Sequence, residues 1–131
     1  DVKVIQIAAN TKNYGLTSKF THSATQKNKI CGDKISIEIN VKKSKIKVMR
    51  YVTQSCVYCQ ASASILANFV KNSSIENLKK DISKIDNLIA KDKINIPKKL
   101  KAFKLLFRND NKNRLQCVML PFKALRKALN I

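Results

Sequence analysis

The hydrophobic period of the chain changes at Cys56, from two residues to three and four. Before it, Ile35, Ile37, Ile39 and Val41 alternate with Ser36, Glu38, Asn40 and Lys42, the pattern of a strand with one buried face. A polar break at Lys43-Ser44-Lys45 precedes Ile46, Val48, Met49, Tyr51 and Val52, so the two runs are expected to pair as an antiparallel hairpin. Phe20 to Gln26, less regular in pattern, is the candidate for a third strand. After Cys56, Ala61, Ile65, Leu66, Phe69 and Val70 recur at helical spacing. Ile75, Leu78, Ile82, Ile85 and Ile89 do the same behind a serine start at Ser73-Ser74, with Lys79, Lys80 and Lys84 left outside. Pro97 opens a further apolar group, Leu100, Phe103, Leu106 and Phe107, and Arg108 to Asn113 reads as a polar loop. Pro121 is expected in the first turn of a last helix that carries Leu125 and Leu129. The opening residues, 1–15, read as a short helix or arm ending in a turn at Gly15. Strands first and helices afterwards predict an α+β fold: a small antiparallel three-stranded sheet with helices packed on one face.

A length of 131 residues with no internal repeat or long linker suits one domain, 1–131. The chain holds 27 Lys and Arg against 8 Asp and Glu, a formal charge of +19, yet 44% of it is hydrophobic. That apolar content excludes a disordered basic tail. No stretch approaches the ~20 apolar residues that span a bilayer, and no charged-apolar-small pattern opens the chain. No membrane partner and a cytoplasmic location are therefore expected, although Asp1 is not an initiator Met and a presequence can have been removed ahead of it. The charge comes from 23 Lys and only 4 Arg. It either neutralises nucleic-acid phosphates or forms a solvated Lys-rich face. Nucleic acid is not the expected partner, because its readers usually carry more Arg and clustered aromatics.

Four cysteines without a secretory signal favour metal or sulfur chemistry over a disulfide framework. Cys31 precedes the alternating strand, Cys56 stands where the helical period begins, and Cys117 lies ahead of the last helix. Such boundaries can converge at one end of a layered fold. Gly32 lets Cys31 and Asp33 turn toward one ion, and a helix start near Cys56 or Cys117 favours thiolate there. Three thiolates and a carboxylate satisfy a tetrahedral zinc ion, and three thiolates also suit an iron-sulfur cluster. Inert buried cysteines and redox disulfide chemistry are the other readings of the same spacing. Cys59 is either an extra ligand one turn after Cys56 or a helix residue packed inward. His22 reads as structural or solvent-facing.

Cys31-Gly32-Asp33, the 25-residue step to Cys56 with Ala61-Ser62-Ala63-Ser64 after it, and Cys117 within Arg114-Leu115-Gln116-Cys117 together resemble the NifU/IscU-like iron-sulfur cluster assembly family. The likeness runs from about Asn10 to Asn130 and implies a SufE/NifU-like fold. The 61-residue step from Cys56 to Cys117, Arg114 and Thr21-His22-Ser23 are similar to the SufU branch. The IscU branch has a His where this chain has Gln116. Ser55 replaces the glycine usual before the second cysteine, and Cys59 stands where the family generally has a small residue such as serine.

The resemblance implies that Cys31 accepts persulfide sulfur from a pyridoxal-phosphate cysteine desulfurase (SufS-like), and that Cys31, Asp33, Cys56 and Cys117 bind zinc with Arg114 in support. The chain would then be at most a zinc-dependent sulfurtransferase, passing sulfur to downstream iron-sulfur carrier or scaffold proteins. As a scaffold, Cys31, Cys56 and Cys117 would instead hold iron or a [2Fe–2S] cluster, with Asp33 keeping it labile. A zinc-stabilised nucleic-acid-binding module is the rival from another class.

Overall fold

The computed structural model describes residues 2–90, 96–108 and 113–131. In chain order the elements are α1 (Val2–Ala8), β1 (His22–Lys27), β2 (Lys34–Lys42), β3 (Lys45–Gln54), α2 (Val57–Phe69), α3 (Ile75–Ala90), a 3-10 segment (Lys98–Phe103) and α4 (Leu115–Leu129). The strands form one antiparallel sheet in the order β1-β2-β3. The expected hairpin and third strand are both present. The part of the expected polar loop at 109–112 lies outside the described residues.

The alternation of β2 and β3 makes one face of the sheet apolar. Ile35, Ile37, Ile39, Ile46, Met49 and Tyr51 are each at most 1% exposed, and each such side chain contributes roughly 1.5–3 kcal/mol by leaving water. Helices cover that face: α4 lies on β1 and β2, α2 on β3 and α4, and α1 on α2. Leu78, Ile82 and Ile85 of α3 join the same core. Phe103 fills its centre, with ring centroids 5.8 Å from Phe69, 6.2 Å from Phe107 and 5.2 Å from Phe122. Among the described residues no helix is long and apolar enough to cross a membrane.

The β2–β3 connection is a two-residue turn in which Lys43 and Ser44 have φ of 53° and 62°, the geometry that matches the twist of a hairpin. The Ser44 carbonyl then accepts the Ile75 N–H at 3.0 Å, which seats the start of α3. Ser74 caps that helix, its Oγ accepting the Asn77 N–H at 3.1 Å. The open edge of β3 is filled at two points. Asn13 and Gly15 bond to Tyr51, and Asn72 and Ser73 bond to Ile46. On the outer face of the sheet, buried Glu38 accepts the N–H groups of Thr17 at 2.7 Å and Ser18 at 2.9 Å. β1 is the other outer strand, and its Thr25 carbonyl accepts the Lys127 ammonium at 3.0 Å.

The last helix corrects the sequence expectation. It starts at Leu115, six residues before Pro121, so the proline lies inside α4 rather than in its first turn. A proline there has no N–H to offer the Cys117 carbonyl one turn back. The next carbonyl, of Val118, accepts the buried Ser62 hydroxyl at 2.6 Å, which ties α4 to α2 beside the irregularity.

Candidate metal centre

The connection between β1 and β2 folds on Asn28. Its N–H donates to the Asp33 carbonyl at 2.8 Å, its own carbonyl accepts the Gly32 N–H at 2.8 Å, and its side-chain oxygen accepts the Ile30 N–H at 3.0 Å. Gly32 sits at φ +76° with open space where a side chain would go, so backbone conformation rather than crowding calls for glycine there. The turn leaves Cys31 exposed and sends Asp33 inward, where it is 7% exposed.

Two helix starts meet this turn. Cys56 is the N-cap of α2 and supplies no side-chain cap bond. Its N–H instead donates to Asp33 Oδ1 at 3.3 Å, so the N-cap residue is held by an aspartate of the β1–β2 turn. Asp33 Oδ2 is buried and has no hydrogen-bond partner. Cys117, in the first turn of α4, is 4% exposed. The Cys31 sulfur, the Cys117 sulfur and one Asp33 oxygen all lie within 4.8 Å of one another. Burial pushes the Cys117 thiol well above its ordinary value, and the neighbouring Cys56 and Asp33 push it further.

This donor set fits a metal ion. A buried carboxylate oxygen with no hydrogen-bond partner, on a residue close to two sulfurs, is what a cation satisfies. Two soft donors and one hard one suit zinc or iron, and binding would displace the proton that Cys117 otherwise keeps. Cys56 adjoins the group through Asp33 and Cys117 but is not among the three converging donors. Cys59 lies one turn further along α2 at 0% exposure, within the core cluster, and burial holds its thiol up to about 12. His22 sits at the far end of β1, its Nδ1 2.8 Å from the Thr21 hydroxyl. Arg114, the N-cap of α4, lies with its guanidinium carbon 5.8 Å from the centre of the Tyr58 ring on α2, bridging the helix starts that carry Cys56 and Cys117.

Two residues around the centre escaped the sequence reading, Asn28 and Tyr58, and Gln116 entered it only as the residue standing where the IscU branch has a His. Asn28 donates from its side-chain amide to Gln116 Oε1 at 3.4 Å, joining the Cys31 turn to the residue before Cys117. Its position ahead of a glycine turn was a readable signal. Nothing local marks Tyr58.

Fold and site together define a small α+β domain that gathers thiols and a carboxylate at one end of its sheet. The family described as NifU-like N terminal domain matches residues 1–130, and the chain belongs to it. It is 29% identical over 125 residues to the iron-sulfur cluster assembly scaffold protein IscU of Thermotoga maritima, covering 92% of this chain and 86% of that one. The crystal structure of a nitrogen-fixing NifU-like protein (N-terminal) from Brucella abortus superposes with a TM-score of 0.87 at 18% identity, over 99% of this chain and 91% of the other. A putative iron-sulfur cluster assembly scaffold protein for the SUF system from Fervidobacterium islandicum superposes with a TM-score of 0.85 at 18% identity, over 96% and 93%. These structures bear out the expected fold.

Proposed function

We propose that this protein works in iron-sulfur cluster assembly, with Cys31 as the acceptor of sulfur from a cysteine desulfurase and Asp33, Cys56 and Cys117 as the other metal ligands. One observation carries the reading: the convergence of Cys31, Asp33 and Cys117 within 4.8 Å around an unpartnered buried carboxylate oxygen. The Thermotoga relative, a cluster assembly scaffold by name, supports the same biology. Zinc bound here would keep the thiols deprotonated without redox chemistry of its own.

Cys31 is the exposed member of the set, so it is the one a partner's persulfide can reach. Its thiolate attacks the outer sulfur of the enzyme's cysteine persulfide. A new sulfur-sulfur bond forms on Cys31, the old one breaks, and the enzyme leaves as a thiolate, with charge and electrons conserved. Asp33 keeps Oδ1 on the Cys56 N–H and has Oδ2 free for the metal. Arg114, held over Tyr58, braces the two helix starts. Four unpaired thiols fit a cytoplasmic setting. Cys31→Ala is expected to abolish stimulation of the desulfurase while circular dichroism shows the fold intact. Full stimulation by that variant overturns the acceptor role.

The second reading is a scaffold that holds a [2Fe–2S] cluster as cargo on Cys31, Cys56 and Cys117, and the name of the Thermotoga relative favours it. It predicts a cluster absorbing near 400 nm after anaerobic reconstitution, transferable to an apo-acceptor and longer-lived in Asp33→Ala. Elemental analysis separates the two readings. About one zinc per chain supports transfer, and iron with acid-labile sulfide supports the scaffold.

A further inference from the structure

Ile30 stands at the tip of the Cys31 turn with 83% of its surface exposed, more than any other large hydrophobic residue described. Its N–H is tied to Asn28, so the side chain is presented by a braced turn. Three lysines surround it in sequence and register. Lys29 precedes it, and Lys27 and Lys34 lie directly opposite each other where β1 and β2 enter the turn; all three are exposed. Like charges facing each other across two strands destabilise a sheet. Among the described residues no ion pair neutralises them. Among the described residues, the carboxylates of the ion pairs are Glu76, Asp81 and Asp86, all on α3.

The imbalance extends well beyond the turn. Residues 2–75 contain twelve Lys and Arg and only two carboxylates. Both carboxylates are buried: Asp33 at 7% in the metal centre, and Glu38 at 6% under the Thr17 and Ser18 amides. The part of the chain that carries the acceptor turn therefore shows no carboxylate to solvent. An acidic surface approaching Cys31 meets no exposed carboxylate from residues 2–75, and release of the Lys27–Lys34 repulsion adds to the attraction.

We infer that the Asn28–Asp33 turn is a docking tongue for the sulfur-donating protein, with Ile30 as its apolar anchor and Lys27, Lys29 and Lys34 as its charged rim. The partner's complementary feature is an apolar socket ringed by carboxylates, set beside the cysteine that carries the persulfide. This rests on the sulfur-acceptor reading above and names the residues by which the donor is recognised. Anchors of this kind dominate binding when they fill a desolvated pocket, whereas rim charges govern association rate and its salt dependence.

The test is binding of the desulfurase from the same organism to the full chain and its variants, measured by biolayer interferometry from 50 to 300 mM salt. Transfer of radiolabelled sulfur to Cys31 is measured alongside. Ile30→Asn is expected to weaken binding about tenfold or more. Lys29→Glu is expected to slow association and flatten the salt response. Phe20→Asn, at the other end of β1 and 47% exposed, should bind like the unmodified chain, and circular dichroism checks that each variant folds. Undiminished binding by Ile30→Asn with sulfur transfer intact overturns the tongue and leaves the acceptor reading standing. Binding that depends on Ile30 without sulfur reaching Cys31 upholds the tongue and overturns the acceptor reading. Absence of binding by the unmodified chain overturns both.

Discussion

Asp33 divides one carboxylate between two tasks: Oδ1 accepts the N–H of Cys56, the N-cap of α2, while Oδ2 is buried with no hydrogen-bond partner in a residue that converges with two sulfurs. That hydrogen bond fixes the rotamer that aims the second oxygen, so Asp33→Asn should keep much of the fold while weakening metal binding, as read by competition with a chromogenic chelator. Cys59, like Cys117, is held neutral chiefly by burial. Burial, acting before all other influences, raises its pKa from 9.0 to about 12. Below pH 9 the thiol is protonated in folded and unfolded chains alike, and the stability associated with it is fully present. Above pH 9 the unfolded chain loses the proton first, so stability falls as pH rises toward 12. Tyr51, raised chiefly by burial from 10.0, acts in the same direction. Urea midpoints from pH 7 to 11 should fall less steeply in Cys59→Ala, and an unchanged slope would show that Cys59 is not the titrating group. The same variant should retain its metal, whereas Cys117→Ala should not.

The hairpin, the core helix and the serine-capped helix follow from rules that act within a few residues, and those were readable: alternation from Ile35, helical spacing from Ala61, and Ser74 ahead of Ile75. Ser74→Ala should cost about 1 kcal/mol in chemical denaturation through loss of the cap on Asn77, and no change would mean that water replaces it fully. The start of α4 was not readable for a definite reason. Arg114 offers no side-chain cap bond, and Pro121 further along imitates a first turn. Cys31, Asp33 and Cys117 were legible as candidates because each stands at a change of element. The contacts that hold them were not, since Asn28–Gln116 spans 88 positions and Asp33–Cys56 spans 23, separations that only the folded layers close.

At the scale of the whole molecule, the centre draws its donors from the β1–β2 turn and from the first turn of α4, so it exists only once sheet and helices are packed. A metal ion that binds the folded chain alone must stabilise it by mass action. The melting temperature should rise by about 5–10 °C at roughly a hundredfold excess over Kd, and chelation should reverse this. A Tm unmoved by zinc would mean that the donors do not act together. The lysine resting on the Thr25 carbonyl has a consequence of another kind. β3 has its free side filled by Asn13, Gly15, Asn72 and Ser73, which leaves β1 as the place where a second copy could add a strand. Lys127 puts a charge across that place, and two copies meeting there would have to bury both ammonium groups. Lys127→Ala should therefore leave the monomer's spectrum unchanged but shorten the lag before light scattering rises on prolonged warming. On this view a single side chain on the last helix sets the shelf life of the protein in concentrated solution.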